Sequence, residues 1–320
     1  MIKIINPLYD VAFKYLMDNE QIAKIVLSII LDTKVISLQS KPQETVIAKD
    51  NQSNVFRYDF KAIIQQENGE HTAVLIELQK YKSQFPIERF REYLGNNYNK
   101  KETIIDHKGK EITASLPIIT IYILGYNIID EDVLAIKVDR AIKDIIFDRP
   151  IEKKSEFIEL LTHTSIILQV DAKPKEKKDT RLERFITLFS QKLKNADPNY
   201  IIEIPDDVKQ DDDLGSIVNY LNLGTQEEKI IRSLKHEEYH ENSLKDLAAE
   251  AKEARKREEE ARKREEEERK LKEDAIKREK EANNKLTKAI QRMYQKGLTI
   301  AEISENMGVS EADVRRWIGE

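Results

Sequence analysis

Two acidic side chains stand inside strand-like, otherwise apolar segments, Asp59 in the first segment and Glu77 in the second. A buried carboxylate is costly unless it is paired or binds a metal ion. Because strand side chains alternate between faces, Asp59 shares a face with Lys61, and Glu77 shares one with Gln79. Two such carboxylates would suit a hard cation such as Mg²⁺. Exposure on the solvent side of a one-sided sheet remains the alternative.

A turn separates these two segments. Asn68-Gly69 lies between them and is a strong hairpin signal, because both residue types tolerate positive φ. The sequence therefore predicts a β-hairpin from Val55 to Lys80 that brings the two acids together. Around it we predict a first helix over residues 8–31, a first core strand over 43–49, a helix over 85–101 and a buried strand over 117–124.

Four short motifs occur in a fixed order around this hairpin: Asp-Val-Ala-Phe-Lys-Tyr-Leu at 10–16, Arg-Tyr-Asp-Phe at 57–60, Ile-Glu-Leu-Gln at 76–79, and Arg89-x-x-x-Tyr93. Together they resemble the recombination-promoting nuclease (Rpn) and transposase-like branch of the PD-(D/E)XK nucleases. Each motif alone is short, and the resemblance rests on their order and spacing. It is clearest over residues 6–125.

The resemblance implies an α/β fold with a PD-(D/E)XK, restriction-endonuclease-like core in the order αβββαβ and a central mixed sheet. It implies Mg²⁺- or Mn²⁺-dependent DNA cleavage, with Asp59, Glu77 and Asp10 as metal ligands. The family's lysine is replaced here by Gln79, whose amide could still bind a water or a phosphate oxygen. Lys61 or Lys14 could supply the missing positive charge. Residues considered for DNA contact in this core are Lys14 and Arg89.

The Asp10 and Lys14 pair and the Arg89 and Tyr93 pair also have ordinary structural interpretations. Asp10 and Lys14 are one helical turn apart and could form a surface ion pair at a helix start. Arg89 could pair with a nearby acid while Tyr93 packs in the core. The residues alone leave these alternatives open.

Composition limits the class of protein. The 320 residues are 40% hydrophobic and 35% charged, which predicts one globular domain plus solvated helical segments. There is no cysteine, so disulfides, a thiolate nucleophile and cysteine-ligated zinc are excluded. The net charge of -5 means that any DNA-binding surface must be a local patch. Without a signal-like N-terminus or a membrane-length apolar run, we expect a cytoplasmic protein without membrane contact.

The rest of the chain divides by composition. We predict a nuclease-like domain at 1–195, a helical extension at 196–234, a charged helix at 235–284 and a helix-turn-helix-like tail at 285–320. Within the first domain, helices are predicted over 130–147 and 154–161 and a strand over 165–170. The heptad positions of the charged helix carry alanine where a strong coiled coil has leucine. This favours a solitary helix, and a homodimer through the core or this helix stays open.

The tail carries helix-start signals at Thr299 and Ser310, with acids three positions later and Gly308 between the two helices. It resembles the helix-turn-helix of resolvase- and sigma-type DNA binders, with Arg315 and Arg316 as DNA-binding candidates. Packing or protein binding by this hairpin is the alternative. Two functions therefore compete: a metal-dependent DNA endonuclease associated with recombination or transposition, and a non-catalytic DNA-binding or assembly protein that retains the nuclease fold.

Overall fold

The computed structural model describes residues 1–41, 44–49, 52–57, 59–81, 86–105, 108–129, 132–153, 155–176, 178–193 and 198–319, with backbone only for 44–49, 52–57, 86, 89 and 93. The chain forms two compact units, Met1–Asn242 and Ser243–Glu320. No helix in the described ranges is both long enough and apolar enough to span a membrane.

The strands and helices are as follows. The strands are β1 Ile2–Ile5, β2 Val35–Ser40, β3 Glu44–Lys49, β4 Gln52–Arg57, β5 Phe60–Gln66, β6 His71–Gln79, β7 Glu102–Ile105, β8 Glu111–Ala114, β9 Ile118–Leu124, β10 Ala135–Val138, β11 Lys143–Asp144, β12 Arg149–Pro150, β13 His163–Gln169 and β14 Ile201–Ile204. The helices are α1 Asp10–Asp18, α2 Glu20–Leu31, α3 Pro86–Tyr98, α4 Glu156–Leu161, α5 Arg181–Thr187, α6 Asp212–Gly224, α7 Glu228–Gln295, α8 Ile300–Met307 and α9 Glu311–Ile318.

A six-stranded mixed sheet in the order β10-β13-β9-β6-β5-β2 forms the centre of the first unit. The three middle strands β13, β9 and β6 are parallel, and the remaining neighbours are antiparallel. The predicted hairpin is confirmed as β5–β6, with Gly69 at φ 86° in its turn. The predicted α/β class with a mixed central sheet is therefore confirmed.

Alternating side chains give the sheet two apolar faces. Val74 and Ile76 of β6 belong to the main core, which also contains Phe13 of α1 and Val26 of α2. Leu75 belongs to a second cluster on the opposite side, together with Phe90 and Leu94 of α3. We call this second side the α3 face. Since Glu77 and Gln79 follow Leu75 at intervals of two residues, they lie on the α3 face.

Segments distant in sequence complete the first unit. β1 pairs with β14, and α6 packs against β1 and α1. Leu234, in the second turn of α7, is fully buried in the main core. Residues of the predicted extension therefore belong to the same core as the N-terminal helices.

The single N-terminal helix that was predicted is two helices. Asn19 ends the first, and its side chain accepts hydrogen bonds from the backbone N–H of Gln21 and Ile22 at 3.1 and 3.2 Å, which starts the second. The first helix also begins two residues later than the predicted residue 8. The Asn6 side chain accepts from Leu8 in a local turn, and α1 begins at Asp10.

The strand predicted at 43–49 exists as β3, but it is not part of the central sheet. It pairs only with β4, over the register from Glu44↔Arg57 to Lys49↔Gln52, and forms a separate hairpin. The first strand of the central sheet is β2, which packs beside α2. The first arm of the predicted hairpin is two strands, β4 and β5, and Asp59 lies between them.

The helix predicted over 130–147 is wrong. This region contains β10, paired with β13, and the two-residue strand β11. Asp144 accepts hydrogen bonds from the backbone N–H of Ile146 and Phe147 at 3.0 and 3.2 Å. Such local bonds favour turns over helix, and the β-branched residues of β10 favour a strand.

The second unit contains the predicted helix-turn-helix shape. Thr299 forms a capping box with Glu302, Ser310 caps α9, and Gly308 has φ 64° between them. Ile290 of α7, Ile303 of α8 and Val314 of α9 form its small buried core. The charged helix predicted to end at residue 284 continues to Gln295 as α7, so the first part of the predicted tail belongs to it.

Candidate active site

Asp59 occupies the bend between β4 and β5. The β5–β6 register pairs Phe60 with Ile76, so its continuation puts Asp59 opposite Glu77. The backbone N–H of Leu78 donates to Oδ2 of Asp59 across 2.5 Å. Because Asp59 lies outside the regular ladder, its carboxylate can turn toward β6 and accept this bond.

Glu77 is fully buried. Burial raises the pKa of Asp59 to about 7, and the negative charge of Glu77 adds to that rise. The Leu78 hydrogen bond acts in the opposite direction and favours the ionised form. The two acids thus share one weakly solvated region.

Asp10 and Lys14 of α1 border the same region. They form an ion pair with 2.6 Å between Nζ and Oδ2. Asp10 adds to the rise in the pKa of Asp59 caused mainly by burial and by Glu77, whereas Lys14 lowers that pKa. The predicted ion pair is therefore confirmed, and a role of these residues in a metal site stays a prediction.

Gln79 is held by a residue that the sequence did not indicate. The Tyr126 hydroxyl donates to Oε1 of Gln79 across 2.6 Å. With its oxygen engaged, the amide of Gln79 has its NH₂ group available as a donor. Tyr126 lies two residues after the end of β9 and 47 residues after Gln79, and no local spacing relates it to Gln79.

Lys61 is directed to a different acid. Its side chain is 5% exposed, and Nζ lies 2.9 Å from Oε1 of Glu102, which also pairs with Lys41 at 3.3 Å. Of the two lysines considered for the missing positive charge, Lys14 is therefore the one whose charge lowers the pKa of Asp59.

Two glutamates of α7 contact residues close to Asp10 or to Gln79. Glu237 accepts from the backbone N–H of Asp10 and Val11 at 2.7 and 3.0 Å, so it caps α1 from another part of the chain. Glu241 lies 2.7 Å from Nζ of Lys80, the residue after Gln79. No local pattern indicates these contacts, because they join segments more than 150 residues apart.

Arg89, Arg315 and Arg316 are the remaining predicted residues. Arg89 lies on α3, but its side chain, like that of Tyr93, is outside the described residues. Arg315 and Arg316 lie in the second unit and are exposed, with Arg316 3.8 Å from Asp313. The acid-rich segment 206–213 forms a helix start, where Asp211 caps α6 and pairs with Arg181.

A metal ion at this site would need ligands from the acidic side chains. In the part of the chain that the structure describes, no group of three or more His, Cys, Asp or Glu side chains is arranged to hold a metal. Asp10 thus stays a predicted ligand. The pair Asp59 and Glu77 nevertheless fits Mg²⁺, which commonly takes one or two protein carboxylates and keeps several waters. A cation would also offset the clustered negative charge.

Compared with protein family models, curated proteins and solved structures, the chain gives no match.

Proposed function

We propose that this protein is a metal-dependent DNA endonuclease of the PD-(D/E)XK type, related to the recombination-promoting nucleases. The observation that carries the proposal is the meeting of Asp59 and Glu77 at neighbouring strands, where Glu77 contributes to raising the pKa of Asp59. Buried acids that perturb each other are typical of functional sites.

The order of elements gives independent support. Apart from β1 and the β3–β4 and β7–β8 hairpins, the first unit begins with α1 and α2, then β2, β5 and β6, then α3, then β9. This is the helix, three strands, helix, strand order that the resemblance implies. The acids lie on the second and third of those strands or directly beside them.

Each residue has a defined part in the proposed reaction. Asp59 and Glu77 would hold Mg²⁺ or Mn²⁺, which when bound acidifies a water and neutralises charge on the scissile phosphate. Gln79 donates its amide N–H to a phosphate oxygen or to the attacking water. Lys14 supplies positive charge on the α1 side and favours the ionised form of Asp59.

The competing function is a DNA-binding or assembly protein without catalysis. The exposed arginines Arg315 and Arg316 on the second helix of the helix-turn-helix favour this alternative. The acids Glu311 and Asp313 in the first turn of the same helix oppose close phosphate contact. The two functions differ in whether phosphodiester bonds are broken.

Cleavage of supercoiled plasmid in Mg²⁺ or Mn²⁺ tests the proposal. We expect nicking or linearisation that EDTA abolishes and that Asp59→Asn and Glu77→Gln each reduce at least about 100-fold, because even partners of metal ligands commonly cost 10- to 100-fold. Glu70→Gln, at an exposed acid in the β5–β6 turn, is the matched control and should retain activity.

Equal activity in the wild type and both acid variants would overturn the endonuclease assignment. No cleavage by any protein, together with a gel shift lost in Arg315→Ala/Arg316→Ala, would support the non-catalytic alternative. Each variant is purified by the same protocol, so that a contaminating nuclease would be present in all of them and would not cause a difference between them.

A further inference from the structure

A cavity of about 520 Å³ lies on the α3 face, between α3 and the strands β9, β13 and β10. It falls in the range of about 300–1,000 Å³ that is usual for small-molecule sites. Its lining is mainly apolar and includes four aromatic rings. The rings belong to Phe90, Tyr122, Tyr126 and His163.

The rings are supported from behind. Phe90 is buried, and its ring centroid lies 4.5 Å from that of Tyr122 at an angle of 55°. Nδ1 of His163 lies 2.6 Å from the Tyr98 hydroxyl, and Tyr126 is bonded to Gln79. Rings fixed in this way offer flat surfaces to a ligand at little cost in conformational entropy.

The cavity adjoins the acid pair. Gln79 lines the cavity and follows Glu77 by two residues on the same face of β6. The β6–β9 register places Tyr122 beside Glu77, and burial together with the Glu77 charge raises the pKa of Tyr122. A ligand in the cavity would therefore lie next to whatever Asp59 and Glu77 bind.

We propose that this cavity binds one unstacked nucleobase of the DNA strand whose phosphate lies at Asp59 and Glu77; this inference rests on the proposed function. A base has two flat faces that stack on aromatic side chains and an edge that hydrogen-bonds. The Gln79 amide, the Tyr126 hydroxyl and the Ser165 hydroxyl line the cavity and supply polar groups for that edge. The exposed Arg91 offers positive charge to the adjoining backbone.

The inference defines the substrate class. A base inside a regular duplex is stacked on both faces, so it must leave the helix before it enters such a cavity. The protein should therefore prefer single strands, mismatches or bulges over perfect duplexes. A purely apolar ligand would suit the apolar lining of the cavity, but it would not explain why the cavity adjoins Asp59 and Glu77.

Photocrosslinking tests this placement without relying on cleavage. The full-length protein is mixed in EDTA with a single-stranded oligonucleotide that carries one iododeoxyuridine, irradiated, and digested for peptide mapping by mass spectrometry. We expect the adduct on Tyr122, Tyr126 or His163. An adduct found only on other residues, or none at all, would overturn the inference.

Variants at the mouth of the cavity provide the second measurement. Val138 is 53% exposed on β10 and lines the cavity, so Val138→Trp should fill the mouth without disturbing the core. Because stacking contributes appreciably per base, we expect roughly tenfold weaker binding of the single strand and loss of the adduct. Ile105→Trp, at a 63% exposed position on β7, is the matched control and should change neither.

The two proposals fail in different ways. A protein that cuts plasmid but gives no adduct in the cavity, or binds equally well after Val138→Trp, overturns the base site and leaves the endonuclease intact. Crosslinking in the cavity by a protein that does not cut supports the base site and overturns the endonuclease assignment.

Discussion

Tyr126 and Gln79 are joined by a 2.6 Å hydrogen bond in which the phenol donates to the amide oxygen. The bond fixes which end of the amide faces away from Tyr126. Since Gln79 occupies the place where the resembling family has lysine, its orientation matters for any donor role. We infer that Tyr126 is a positioning residue for the proposed reaction.

Tyr126→Phe should therefore slow cleavage while leaving the ring in place. We expect a roughly 3- to 30-fold lower kcat, since one hydrogen bond contributes about 0.5–1.5 kcal/mol and freeing the amide adds to the loss, with KM for DNA little changed. Initial rates of plasmid cleavage at a series of DNA concentrations measure kcat and KM. Tyr15→Phe, which removes a comparable 2.7 Å bond to Glu227, is the control. A rise in KM alone would contradict a positioning role.

The pH dependence of cleavage should follow Asp59. Burial and the adjacent Glu77 raise the pKa of Asp59 to about 7, so below that pH the carboxyl is protonated and cannot bind a cation. We expect the rate at subsaturating Mg²⁺, where the cation competes with the proton for this carboxylate, to rise from pH 6 to pH 7 and to level off above about pH 8. A rate profile that stays flat between pH 5.5 and pH 8 would show that Asp59 is not required in its ionised form.

The free energy of unfolding should also depend on the Asp59 carboxyl group, but it should fall as the pH rises, whereas the cleavage rate should rise. The folded-state pKa of Asp59, about 7, is above the ordinary value of 3.8, so between these values the folded chain binds more protons than the unfolded chain. Stability therefore falls as the pH rises through this window. Asp59→Asn should raise the free energy of unfolding at pH 8 by roughly 2–4 kcal/mol.

Urea unfolding at pH 8 and pH 5 measures that difference. The advantage of Asp59→Asn should shrink at pH 5, where the wild-type carboxyl is already protonated when folded. The exposed Asp207→Asn serves as the control and should give the same difference at both pH values. Equal stabilisation by Asp59→Asn at pH 5 and pH 8 would contradict the linkage.

The two lysines should separate into different roles. Lys61→Met removes a nearly buried ammonium from Glu102 and should cost about 1–3 kcal/mol of stability, with cleavage per folded molecule little changed. Lys14→Gln breaks a partly exposed pair and should cost under about 1 kcal/mol, yet lower cleavage at least about tenfold. The reverse pattern would make Lys61 the functional cation.

Local sequence signals were sufficient for part of the fold. The Asn68-Gly69 turn and the apolar run of β9 predicted the hairpin and a buried strand, because turn chemistry and burial act over a few residues. The caps at Thr299 and Ser310 located the tail helices for the same reason. Strand alternation predicted the convergence of Asp59 and Glu77, whereas the structure has Asp59 in the bend before β5, where its carboxylate accepts from the backbone N–H of Leu78.

Contacts between distant segments could not be read from the sequence. Glu237 replaces the missing cap of α1, and Tyr126 orients Gln79, but neither has a fixed spacing from its partner. The break at Asn19 had a local signal in its capping side chain, which the apolar stripe on both sides obscured. The cavity depends on how α3 lies over β9 and β13, which periodicity does not specify.

The pairing of β1 with β14 joins Ile2 to Ile204. During synthesis β1 therefore has no pairing partner until some two hundred more residues have been added. This delay is roughly 10–40 s at 5–20 residues per second. Until then the emerging chain lacks part of the core that supports α1. We expect ribosome-arrested chains that end before β14 to be cut by protease near Ile2, and chains that extend past Asn242 to resist. Protection in the shorter chains would contradict this timing. The newborn chain would thus complete the core beneath α1 only late in translation, after most of the message has been read.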